Sequence, residues 1–166
     1  ELRDCGAEVD LERVVPDLSN LAAEDPEKRD AVLDIVANFP GSYTINYVDV
    51  SIRCPHAAMY TRAANVPGSA AAKAAEEKRE RYGPRVLPLV FESYGRLGLD
   101  GRRALETLAL HASATMRDQW AVQRLVLRWH ASLERAVTFA TAEIVLLALG
   151  SRAQNLFGRK CEFSEA

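Results

Sequence analysis

The chain has 166 residues, 48% of them hydrophobic and 27% charged, with a net charge of −2. That length suits one domain with a single sizeable core, and the composition excludes collagen-like and strongly disordered classes. A balance so near neutrality also excludes nucleic-acid binding by the surface as a whole, so any such binding needs a local patch.

In chain order, residues 8–15 (EVDLERVV) alternate, with Val9, Leu11 and Arg13 on one face and Asp10, Glu12 and Val14 on the other. The pattern predicts a strand that Pro16 ends. The polar stretch after it, LSNLAAEDPEKRD, reads as a bridge to a hairpin over 33–53. Pro40-Gly41 lies in the turn of that hairpin, since Pro-Gly is a strong turn signal. Residues 54–68 read as a connection with one helical turn. Residues 69–82 (SAAAKAAEEKRERY) are rich in alanine, the best helix former, and Gly83-Pro84 stops them. Residues 86–93 (VLPLVFES) are apolar on both faces, as in a strand covered on both sides.

The rest reads as helix. One segment runs from an N-cap at Asp100 to about His111, and a second runs from about Asp118 to Leu149 and stops at Gly150. Leu125, Trp129, Leu133, Val137, Thr141 and Ile144 recur at helical spacing and predict a core stripe. Trp120 is also expected in the core, and His111 and His130 are expected to be structural. Arg117, Arg124, Arg128 and Arg135 share one face, either a phosphate-binding edge or a solvated one. The tail from Ser151 is polar enough to fray.

Three scattered cysteines, Cys5, Cys54 and Cys161, give no disulfide framework. Cys54-Pro55-His56 lacks the CxxC or HxxxH that a zinc site would add. No signal peptide is seen and no apolar run reaches the roughly 20 residues of a membrane span. A reducing, intracellular location follows as the expectation, with no membrane partner. A chain that opens on Glu1 reads as a piece of something longer.

The hairpin raises the chemical question. Side chains alternate along a strand, so Val48, Val50 and Ile52 face one way and Asp49, Ser51 and Arg53 the other. Leu33, Ile35 and Ala37 form the apolar set of the first strand, with Asp34 opposite them. A turn centred on Pro40-Gly41 pairs position 34 with 47 and makes Asp34 and Asp49 same-face diagonal neighbours, roughly 7–8 Å apart. One divalent cation reaches both at that range, and magnesium suits a carboxylate pair. On the helix, Ala71, Ala75, Lys78 and Tyr82 form one stripe, while Lys73, Glu77 and Glu80 lie elsewhere. Lys78 either serves the aspartates or snorkels past the alanines to solvent. Glu12 either approaches the aspartates or faces water.

Two aspartates on a hairpin followed by a Lys-x-x-x-Tyr helix resemble the restriction-like endonuclease domain of non-LTR retrotransposons, a branch of the PD-(D/E)xK nuclease superfamily. The matching stretches are RDAVLDIV, YVDVSIRCPHA, PGSAAAKAAEEKRERYG, VLPLVFESYGRLG and, more weakly, ASLERAVTFATAEIVLLALG. The resemblance implies an α/β fold: a mixed central sheet with a PD-(D/E)xK-like core over about 8–98, and C-terminal helices over about 99–150. The whole would be a single domain. It implies Asp34 and Asp49 as metal ligands for Mg²⁺ or Mn²⁺, and Lys78 as a lysine migrated from the position that Ser51 fills. Leu33 stands where the motif has proline. The resemblance further implies a packing or phosphate-contact role for Tyr82 and a buried polar role for Glu92, which could otherwise cap a neighbouring backbone. The implied activity is cleavage of a DNA phosphodiester within a retroelement protein. DNA would be the partner, with a reverse transcriptase or other segments of a longer polyprotein, and a nuclear location would follow. The alternative is an inactive relic serving as a nucleic-acid-binding or protein-interaction subunit. Ser51 favours that alternative.

Overall fold

The computed structural model describes residues 1–19, 30–63, 65–114 and 120–158. Strands β1 (Glu8–Val15), β2 (Ala31–Asn38), β3 (Ile45–Arg53) and β4 (Val86–Glu92) form one sheet in the order β1-β2-β3-β4. The first three are antiparallel, and β4 runs parallel to β3. A parallel neighbour cannot be reached by a tight turn. Helix α2 (Ser69–Tyr82) makes the crossover, after a 3-10 turn at Ala58–Ala63. Short α1 (Pro16–Ser19) follows β1, and α3 (Leu99–Ser113) and α4 (Ala121–Gly158) complete the chain. The fold is the expected mixed α/β arrangement with C-terminal helices.

Alternation along β4 explains its doubly apolar sequence. Leu89 and Phe91 pack with Leu105, Leu108 and Trp129 from α3 and α4. Val90, between them, packs with Ala71, Ala74 and Ala75 of α2. The sheet is therefore covered on both faces, and the alanines bring α2 close. A Cβ on Gly98 would meet the Cβ of Ala71 at 2.8 Å. Gly95, at φ +86°, leaves no room either: a Cβ there would lie 2.6 Å from Thr138 Oγ1 and 3.1 Å from Glu134 O of α4. His111 on α3 bonds to Asn46 on β3, Nδ1 to Oδ1 at 2.8 Å, and Asn46 is buried. This tie from helix to sheet is the structural role expected for that histidine.

Several expectations are corrected. The hairpin register is shifted by two residues: Val36 pairs with Tyr47 and Ile35 with Val48, so position 34 is not paired with 47. The turn itself is where Pro-Gly predicts it, with Ser42 N–H donating to Phe39 O at 3.0 Å and Gly41 at φ +76°. The shift comes after it. Thr44 N–H donates to Ser42 Oγ at 3.1 Å, and this local bond holds Ser42 to Thr44 out of the ladder, which closes only at Asn38↔Ile45. Leu33 leaves the Ile35 and Ala37 set and joins Val36, Tyr47 and Tyr82, with Leu18 of α1 in the same cluster.

Helix α3 is capped by Gly98 instead of Asp100, which lies in the first turn. Helix α4 runs through Gly150 to Gly158, since one glycine costs a long helix only about 1 kcal/mol. The core stripe holds for Leu125, Trp129 and Val137, with Leu133 packed against them. It fails at Ile144, which is exposed, because the sheet and α3 no longer lie beneath α4 there. Trp120 is exposed as well. Arg128 pairs with Glu1 at 3.0 Å and Asp4 at 3.7 Å, which removes it from a free phosphate-binding edge. Arg117, Cys161 and most of the bridge before β2 lie outside the described residues.

Candidate functional site: two aspartates and a lysine

The corrected register sharpens the hairpin site. The β2–β3 ladder ends at Ile35↔Val48, and its next step would set Asp34 directly opposite Asp49. The strands have already left the ladder at that step, so the diagonal spacing first expected does not apply. Past Val48, β3 stays with β4 as far as Arg53↔Glu92, while β2 stays with β1 as far as Ala31↔Val15. The two central strands part at the two aspartates. Asp34 bridges the gap with its side chain: Val50 N–H donates to Asp34 Oδ2 at 2.6 Å. Sequence reasoning missed this bond, because nothing in the hydropathy pattern marks where a ladder stops.

Helix α2 supplies the third group. Lys78 Nζ forms an ion pair with Asp49 Oδ2. Asp49 is only 5% exposed and the Lys78 side chain 16%. Two charges so deep in the protein stay together because separating them would leave one uncompensated. Lys78 therefore points to the sheet instead of snorkelling to water. Burial holds its ammonium below the ordinary lysine range, opposed by the nearby Asp34 carboxylate and reinforced by Arg81.

The other predicted residues are more scattered. Tyr82 is buried in the cluster with Tyr47 and Val86, and the Arg81 guanidinium lies 4.9 Å from its ring centroid. Its place is one of packing. Ser51 follows Asp49 on the same face, beside Val90 of β4, and its buried Oγ has no hydrogen-bond partner among the described residues. Glu92 is buried but pairs in register with Arg53, four residues along β4 from Pro88, the neighbour of Asp49. That is roughly 13 Å away. Its Oε2 lies 3.9 Å from Arg96 Nε, and its Oε1 has no hydrogen-bond partner among the described residues. Glu12 is exposed, at φ +50°, at the β1 position that falls opposite Asp34.

Among the described residues no group of three His, Cys, Asp or Glu side chains could hold a metal ion. That includes Cys54-Pro55-His56. No described helix is long and apolar enough to cross a membrane. No protein-family model, curated protein or solved structure matches the chain.

Proposed function

We propose that the chain is a metal-dependent DNA endonuclease with a PD-(D/E)xK-like core, the cutting part of a retroelement protein. One observation carries the reading: Lys78, from a helix 29 residues after Asp49, is turned inward onto that carboxylate at the point where Asp34 crosses the same gap. The order of parts supports it as well, with acids on an antiparallel central pair, a crossover helix bearing the lysine, and a parallel fourth strand.

The donor set suits a hard cation. Magnesium is held by one or two carboxylates while water and substrate phosphate complete its shell, so two aspartates without a third protein ligand fit it. Asp34 and Asp49 are the residues that would hold Mg²⁺ or Mn²⁺. When bound, such an ion polarises the scissile phosphate and lowers the pKa of its water. Asp34 is kept in place by the Val50 amide. Lys78, fixed by Asp49, presents a positive charge where negative charge develops on the phosphate oxygens and can donate a hydrogen bond to the attacking water. With Ser51 in the strand position, this role falls to Lys78 alone.

The second reading, an inactive relic that binds nucleic acid or protein, draws on the same ion pair. A lysine already paired with Asp49 neutralises a charge that a cation would otherwise meet. The test is nicking of supercoiled plasmid. The nuclease reading expects relaxed circles with Mg²⁺ or Mn²⁺ and none with EDTA. Intact plasmid in both, from folded protein, favours the relic.

A further inference from the structure

A cleft of about 520 Å³ lies where the start of α2 meets the loop between β4 and α3 and the side of α4. Its charged and titratable lining is Arg96, Arg102 and His130, with Val66, Pro67 and Leu97 among its apolar walls. Most other arginines among the described residues are already engaged. Arg13 pairs with Asp10, Arg79 and Arg103 share Asp100, and Arg128 holds Glu1 and Asp4. Arg81 and Arg85 lie over the rings of Tyr82 and Tyr47. Arg102, by contrast, has no ion-pair partner among the described residues, and Arg96 has only the long 3.9 Å approach to Glu92. Two guanidiniums with unspent donors at one concave place are what a phosphate oxygen needs.

The position along α2 gives the cleft a relation to the aspartates. Ser69, on its wall, is nine residues before Lys78 on the same helix. At 1.5 Å per residue that is roughly 13 Å along α2. We infer that Arg96 and Arg102 form a DNA backbone clamp that grips a phosphate flanking the one at the Asp34–Asp49–Lys78 site. The ligand is DNA because the inference rests on the nuclease reading. The chain has a near-neutral surface, so this local patch supplies the attraction that net charge does not.

The test is binding without chemistry. A fluorescein-labelled DNA duplex is titrated in EDTA across a salt series by fluorescence anisotropy, with wild type, Arg96→Ala/Arg102→Ala, and Arg13→Ala on exposed β1, at the other edge of the sheet from β4, as control. The double variant is expected to lose on the order of tenfold or more in affinity. The slope of log K against log salt should flatten by roughly one per arginine. Arg13→Ala should match wild type. Arg96→Lys/Arg102→Lys, which keeps both charges, should recover most of the slope, and circular dichroism of each variant checks the fold. Unchanged affinity and slope in the folded double variant overturn the clamp, even if plasmid nicking is intact. Loss of binding on removing the arginines, in a protein that never nicks plasmid, keeps the clamp and removes the nuclease reading. A wild type that does not bind the duplex overturns both.

Discussion

Asp49→Asn is expected to lower metal-dependent nicking by at least about 100-fold, with the far-ultraviolet spectrum unchanged. Asparagine keeps the shape and an oxygen that Lys78 can still reach, but not the negative charge that a hard cation requires. Removing even an outer-shell partner of a metal commonly costs 10- to 100-fold in metal affinity or activity, so a direct ligand should cost at least the upper figure. Asp10→Asn, on exposed β1 and paired only with Arg13, is the matched control and should cut as wild type does. Initial rates of plasmid relaxation over a Mg²⁺ titration separate two outcomes. A loss that high Mg²⁺ restores marks weakened metal binding, and a loss that persists marks the chemistry itself. Full activity in Asp49→Asn would sink the proposed site.

The second large effect is on stability. Lys78→Met leaves Asp49 buried without its counter-ion, and breaking a buried pair in this way costs about 3–5 kcal/mol. For a chain of this size each kcal/mol moves the midpoint by roughly 2–4 °C, so thermal unfolding should fall by roughly 6–20 °C in metal-free buffer. Adding Asp49→Asn to Lys78→Met should recover much of that loss, because the uncompensated charge is then gone. Mg²⁺ offers a sharper signature. If Asp49 is a metal ligand, the cation takes over as its counter-ion, and Mg²⁺ should raise the midpoint of Lys78→Met more than that of wild type. Equal small shifts in both proteins would separate the ion pair from any metal role.

How far the sequence could be read depended on which forces fixed each element. The alanine stripe of α2 was legible as a packed face, but spacing alone left Lys78 free to turn inward or to snorkel to water. β4 was legible because apolar residues at every position leave neither face for water. Register was not, since it was decided by one bond between Ser42 Oγ and the Thr44 amide, which hydropathy does not record. Nor was the parting of β2 from β3, where the Asp34 side chain stands in for a ladder partner. The extension of α4 was missed by giving one glycine the force of a stop, and Trp120 by assuming that a large aromatic must be enclosed. At the site, the resemblance pointed Lys78 toward the aspartates, and its ion pair with Asp49 is seen only in the fold. The distance of Glu92 from them followed only from the parallel register.

The bond from the Val50 amide to Asp34 gives that residue two employers. As a chemical group it is one of two acids; as a piece of architecture it is the clasp that holds β3 where the sheet divides. Asp34→Ala would undo both at once, whereas Asp34→Asn keeps an acceptor for Val50 and removes only the charge. Asp34 alone testifies to the shape of a strand, and the case for chemistry rests on the Asp49–Lys78 pair beside it.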